Sequence, residues 1–89
     1  MCRNIRLLFN FEPPVTEEEI RAASLQFIRK ISGFNKPSQA NEPAFLAAVE
    51  AVTETASSLL GQLETNASPR TRAEDHAKAR ARAAKRFAT

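Results

Sequence analysis

Eighty-nine residues with a net charge of +3, one cysteine and no tryptophan or tyrosine define a small chain that cannot form an internal disulfide. Its apolar runs fall short of the roughly 20 residues a membrane span needs, and the early polar residues Asn10 and Glu12 interrupt the opening too soon for a signal-peptide core. The composition therefore predicts a cytoplasmic, non-membrane protein, read as one helical domain over residues 1–89. Its parts are an apolar N-terminal segment (1–15), a helical hairpin core (16–64) and a basic Ala/Arg-rich helix (68–89).

Charge and apolar content are distributed unequally. Residues 68–89 carry seven cations against Glu74 and Asp75, a net of +5, which leaves −2 for residues 1–67. Of the 21 Val, Ile, Leu, Met and Phe residues, 20 lie at or before Leu63 and only Phe87 follows. The core is thus expected in the first two thirds, and a chain of this size buries only about 60 to 65 per cent of its unfolded surface. Self-association is one way for such a chain to bury more.

From Ile5 to Phe11 apolar residues alternate with Arg6, Leu8 and Asn10, a period near two that predicts an extended segment. No second strand accompanies it. The segment is expected to drape over helices, form a short helical turn or pair with a second copy, and Pro13 and Pro14 close it.

Thr16-Glu17-Glu18-Glu19 has the spacing of a capping box and puts three carboxylates at the positive end of a helix dipole. The first helix is predicted over 16–32, with Ile20, Ser24, Phe27, Ile28 and Ile31 on its apolar face. Arg29 and Lys30 suit its C-terminal end, Gly33 the left-handed position after it, and Phe34 a hydrophobic lock on Ile28. The basic turn Arg29 to Ser38 is also a candidate anion contact, for which capping is the simpler explanation.

Asn41, with Pro43 in the first turn, predicts the start of a second helix over 42–64. Phe45, Val49, Val52, Ala56, Leu59 and Leu63 form its expected stripe, widened by Ala48 and Leu60, as an antiparallel partner for the first helix. Ser68-Pro69 reads as an N-cap with proline at N1, predicting a third helix over 69–87. Ala73, Ala77, Ala81, Ala84 and Ala88 share a face suited to close docking. Lys78, Arg82, Lys85 and Arg86 share the opposite one, with Arg80 nearby and Glu74 spaced to pair with Lys78.

Lys78, Arg80, Arg82, Lys85 and Arg86 are the candidate anion or nucleic-acid residues, since a row of cations on a helix can neutralise phosphates. The opposing reading is an ordinary solvated face. No Gly-rich phosphate loop or zinc-finger spacing accompanies it, and one His and one Cys are too few for a four-ligand structural metal site. No cofactor or metal is expected, and His76 reads as a surface residue. Cys2 would become an N-terminal nucleophile after methionine removal, and the opening Met-Cys resembles that of class II glutamine amidotransferases. Those enzymes use a large layered sheet to build an oxyanion hole, which a short helical chain lacks. No catalytic residue is therefore assigned.

Met1-Cys2-Arg3-Asn4-Ile5, Phe9-Asn10-Phe11-Glu12-Pro13-Pro14, Glu18-Glu19-Ile20-Arg21-Ala22-Ala23 and Lys30-Ile31-Ser32-Gly33-Phe34-Asn35-Lys36-Pro37-Ser38 together resemble the small family catalogued as domain of unknown function twenty-two seventy-seven. The resemblance covers nearly the whole chain and implies a cytosolic bacterial protein without assigned chemistry. A weaker likeness links residues 16–23, the loop and the second helix to the helical hairpin of chaperone J domains. The His-Pro-Asp triplet of that domain is missing, the loop here being Gly33-Phe34-Asn35-Lys36-Pro37-Ser38. The expectation is an all-α, three-helix domain acting as a non-enzymatic binding or adaptor module, through a protein partner or self-association. Nucleic-acid binding is the alternative, and thiol catalysis by Cys2 comes last.

Overall fold

The computed structural model describes residues 5–88, of which 86–88 are described by their helical backbone alone. Three helices follow in order: α1 (Glu17–Ser32), α2 (Glu42–Gln62) and α3 (Arg72–Ala88). No strand is formed among the described residues, so the fold is the expected all-α one, with one isolated parallel bridge between Phe11 and Arg70. The chain divides into two compact units. One comprises Met1–Phe9 and Val15–Glu64, and the other Asn10–Pro14 and Thr65–Thr89. Cys2 lies outside the described residues.

In the first unit α1 starts as its sequence dictates. The Thr16 hydroxyl accepts from the Glu19 N–H at 3.2 Å, and the Glu19 carboxylate accepts from the Thr16 N–H at 2.9 Å. Both halves of the capping box are made, and Glu17 and Glu18 complement the free N–H groups of the first turn. The helix ends at Gly33, whose φ of 78° places it in the left-handed region and lets its N–H donate to the Arg29 carbonyl at 2.9 Å. Arg29 Nε donates to the Asn35 carbonyl at 3.0 Å and fastens the loop to the helix end.

α1 and α2 pack against each other as an antiparallel hairpin, Ile28 meeting Phe45 and Val49 near the loop and Arg21 meeting Glu50 further along. Leu25, Ala48 and Val52 complete the small core. Two polar residues are buried with it, and each satisfies its hydroxyl on its own helix: Ser24 donates to the Ile20 carbonyl at 3.0 Å and Thr53 to the Val49 carbonyl at 2.7 Å.

Several expectations are corrected here. The buried stripe of α2 runs through Phe45, Val49 and Thr53, not through Leu59 and Leu63, which are 56% and 44% exposed. On α1, Ile20, Ser24 and Ile28 are buried, whereas Phe27 and Ile31 are not. A single crossing of two helices buries one row of i, i+4 residues on each, and the wider apolar stripes exceed what one partner covers. Phe34 remains 41% exposed and is not taken into the core as a lock. Asn41 precedes α2 but makes no capping bond, its side-chain amide donating to the Ser38 hydroxyl at 2.9 Å.

The second unit is built from two distant stretches of sequence. Arg70 N–H donates to the Asn10 carbonyl at 2.7 Å, and Glu12 N–H donates to the Arg70 carbonyl at 2.9 Å. The Asn10 amide donates to the Ala67 and Ser68 carbonyls at 3.3 and 3.2 Å, from a residue whose φ of 63° is one asparagine tolerates. That turn ends the alternation read over Ile5 to Phe11, so Leu7 is exposed while Phe11 is buried. The extended segment is replaced by a chain of bends whose pairing partner is Arg70 of the same chain.

Because Asn10 to Glu12 holds the backbone at Arg70, α3 does not begin at Ser68-Pro69. It begins after Thr71, whose hydroxyl accepts from the Glu74 N–H at 3.1 Å. Thr71-Arg72-Ala73-Glu74 has the same Thr-x-x-Glu spacing as the start of α1.

Candidate functional site

Two surfaces answer to the sequence candidates. The first is α3. Lys78, Arg80, Arg82 and Lys85 are all exposed. At 100° per residue Lys78, Arg82 and Lys85 share one face, whereas Arg80 falls on the far side beside the alanines. The Arg86 side chain lies outside the described residues. Glu74 and Lys78 do not form the expected ion pair, and the alanines at 73, 77, 81 and 84 are exposed. His76 is exposed, as expected.

Arg72, counted in the basic total, has a structural task. Its guanidinium donates to the carbonyls of Pro13 and Pro14 at 2.8 and 3.3 Å and lies over the Phe11 ring, 5.8 Å from the centroid. Pro13 contributes no N–H to this stretch, and Arg72 satisfies the exposed carbonyls instead. Arg72 and Pro13 are not legible as partners in the sequence, because 59 positions of chain separate them.

The second surface is the hairpin. Arg21 and Glu50 form an ion pair across it, and the hydrogen bond from Arg21 outweighs an opposing desolvation and, with a lesser contribution from the Arg21 charge, holds the Glu50 carboxyl below the usual carboxylate range. The same bond raises Arg21. On this side an open groove of about 400 Å³ is lined by Glu17, Ile20, Glu50, Thr53, Glu54 and Ser57.

The ion pair fixes which flanks of the two helices share a side. On α1, Arg21 and Leu25 lie to one side of the buried row Ile20, Ser24 and Ile28, and Phe27 to the other with Ile31 at the row's end. On α2, Glu50 and Leu46 lie to one side of Phe45, Val49 and Thr53, and Ala48, Val52 and Leu59 to the other. Since Arg21 meets Glu50, the flanks bearing Phe27 and Leu59 occupy the opposite side of the hairpin together. That side is apolar: Phe27 is 46% exposed, Ile31 66% and Leu59 56%, with Ala23, Ala48 and Val52 between them. The sequence signal was present as apolar stripes too wide for a two-helix contact.

Charge is also divided along the hairpin. Glu17, Glu18 and Glu54 lie toward the open end, while Arg29, Lys30 and Lys36 lie at the loop end beside Glu42. No ion pair joins Arg29, Lys30 or Lys36 to a carboxylate among the described residues.

Among the described residues no three of His, Cys, Asp and Glu come together as metal ligands, and no helix is long and apolar enough to cross a membrane. The chain is a small all-α protein that matches the family described as "Uncharacterized conserved protein (DUF2277)" over residues 1–78. The chain belongs to that family. The match includes both hairpin helices and stops at Lys78, so Arg80, Arg82, Lys85 and Arg86 lie beyond it. No curated protein and no solved structure matches.

Proposed function

We propose that this protein is a non-enzymatic helical binding module that acts through protein–protein contact on the apolar side of the hairpin. The observation that carries this reading is the placement of half-exposed Phe27, Ile31 and Leu59 on one side, opposite the polar side bearing Arg21 and Glu50. Contiguous exposed apolar surface of this kind marks interaction sites on small proteins. The residues lie within the stretch matched by the family, so the surface belongs to the shared part of the chain.

A photo-crosslinking amino acid placed at position 31 or 59 in cells tests the reading, with position 54 on the polar side as control. Discrete adducts from 31 and 59, absent from 54, support it. Equal, diffuse labelling from all three positions overturns it.

A second reading, nucleic-acid binding by α3, is favoured by the exposed Lys78, Arg82 and Lys85. Anisotropy titrations with single-stranded DNA, duplex DNA and RNA at two salt concentrations test it. The variant to compare is Lys78→Glu/Arg82→Glu/Lys85→Glu, because deleting residues 69–89 would also remove the partner of Phe11. Salt-sensitive binding lost in that variant supports this reading, and no binding at low salt removes it.

A further inference from the structure

We infer that α3 seats in the major groove of B-form duplex DNA, its cations gripping the phosphates on both walls of the groove. The inference rests on the nucleic-acid reading of α3 above and adds the kind of nucleic acid and the way the helix meets it.

The first observation is where the charge lies. The unit of Asn10–Pro14 and Thr65–Thr89 holds seven cations against Glu12, Glu74 and Asp75, a net of +4, which leaves −1 of the chain's +3 to the hairpin unit. The acids of α3 sit in its first turn, and every charged residue from Lys78 to Arg86 is a cation. A positive field confined in this way draws a polyanion to the later turns of α3.

The second is the angular placement of the cations. Counted at about 100° per residue from Lys78, Arg82 lies at about 40° and Lys85 at about −20°, whereas Arg80 lies at about 200°. A flat anionic surface meets one side of a helix and leaves Arg80 facing away from it. A groove has a phosphate wall on each flank, so Lys78, Arg82 and Lys85 reach one strand while Arg80 reaches the other.

The third is girth. Ala77, Ala81 and Ala84 lie between the two sets of cations, at about 240° to 300° by the same count, and all three are exposed. With only methyl groups on that side, a helix about 10 Å across enters a groove about 12 Å wide and brings its backbone close to the floor. Alanine forms no hydrogen bond with a base edge, so the grip is on the backbone and tolerates many sequences.

The same features disfavour other polyanions. The major groove of duplex RNA is too deep and narrow to admit the helix. Residues 72–85 include no aromatic side chain on which unpaired bases could stack, and none of the large apolar residues with which an amphipathic helix enters a bilayer. Arg80, Arg82 and Lys85 lie past the family match, so the contact belongs to this chain rather than to the stretch the family shares.

Anisotropy titrations of the full chain test the inference, with one sequence of about 20 positions presented as duplex DNA, duplex RNA and single-stranded DNA. Circular dichroism confirms that each variant keeps its helices. Duplex DNA should bind at least about tenfold tighter than the other two forms, and its affinity should fall roughly a hundredfold between about 50 and 200 mM salt, as about four phosphate contacts require. Arg80→Ala, which favours the helix, should weaken duplex binding and reduce the salt slope by about one. Ala81→Leu keeps the charge and the helix but widens the side that enters the groove, and should weaken duplex binding several-fold. Equal binding to all three forms, unchanged by Arg80→Ala and Ala81→Leu but lost in Lys78→Glu/Arg82→Glu/Lys85→Glu, overturns the groove seat and leaves the nucleic-acid reading standing. No binding to any form at low salt overturns both, as does retention on phosphatidylserine vesicles by a chain that ignores DNA.

Discussion

The guanidinium of Arg72 lies 5.8 Å from the centre of the Phe11 ring while donating to the carbonyls of Pro13 and Pro14. One side chain thereby joins the start of α3 to a segment 58 positions earlier. Arg72→Ala should destabilise this unit by about 1 to 2 kcal/mol, and Arg72→Lys should recover less than half, since lysine cannot reach both carbonyls from a planar fork. Amide exchange at Glu12 and Arg70, which bond across the bridge, should accelerate before exchange in the hairpin core changes.

Asn10 has two tasks in the same unit, a left-handed backbone and two side-chain bonds to the Ala67 and Ser68 carbonyls. Asn10→Gly keeps the first and loses the second, whereas Asn10→Ala loses both. Urea midpoints should therefore fall in the order wild type, glycine, alanine, with about 1 kcal/mol separating the last two.

Gly33 separates strain from packing. A methyl group there would meet nothing within 4 Å, so the cost of Gly33→Ala comes from its φ of 78° alone. A loss of about 1 kcal/mol is expected, and Gly33→Asn should lose less because asparagine visits this region more readily.

Val49 is the most deeply buried hydrophobic residue, at 4% exposure, and packs with Ile28 and Phe45. Val49→Ala should cost about 2 kcal/mol, a large share of the stability a small domain holds. Leu63→Ala, at 44% exposure, should cost well under half of that by thermal or chemical unfolding.

The Arg21–Glu50 pair predicts an acid limb with a definite sign. The Glu50 carboxyl is lowered by its hydrogen bond from Arg21, so the stability it contributes is present above the unfolded carboxylate value and is lost as pH falls through the lower folded value. Urea midpoints of wild type and Arg21→Gln should differ most above about pH 5 and converge toward about pH 3. Both side chains are substantially exposed, so the difference should be small and should shrink in high salt.

How much the sequence revealed follows the range of the interactions. The capping box at Thr16, the left-handed Gly33 and the antiparallel hairpin rest on contacts within a few residues or on periodicity, and all are legible. The start of α3 was misplaced although Thr71 and Glu74 repeat the Thr16 and Glu19 spacing, because proline at position 69 is also a good first helical residue. What decided between them was Asn10 and Glu12 binding the backbone of Arg70, a contact no local rule contains. The stripe of α2 was misjudged for a related reason. Heptad spacing favours Val52 and Leu59, but one partner helix selects Phe45, Val49 and Thr53, and a threonine enters the core by bonding its own helix. Lys78, Arg80, Arg82 and Lys85 of α3 are exposed, as a solvated basic helix implies, whereas the apolar side of the hairpin is hidden in the sequence inside what reads as a single core stripe.

The bridge between Phe11 and Arg70 also orders events during synthesis. Residues 10–14 leave the ribosome well before the chain that covers them, and at roughly 5 to 20 residues per second they wait several seconds for Arg70 and Arg72. α1 and α2 need no such delay, being neighbours in sequence. The residues that pack the hairpin are thus together on the nascent chain while Phe11 still lacks its eventual cover, so the unit built on residues 10–14 is the one whose completion must wait for the C-terminal stretch.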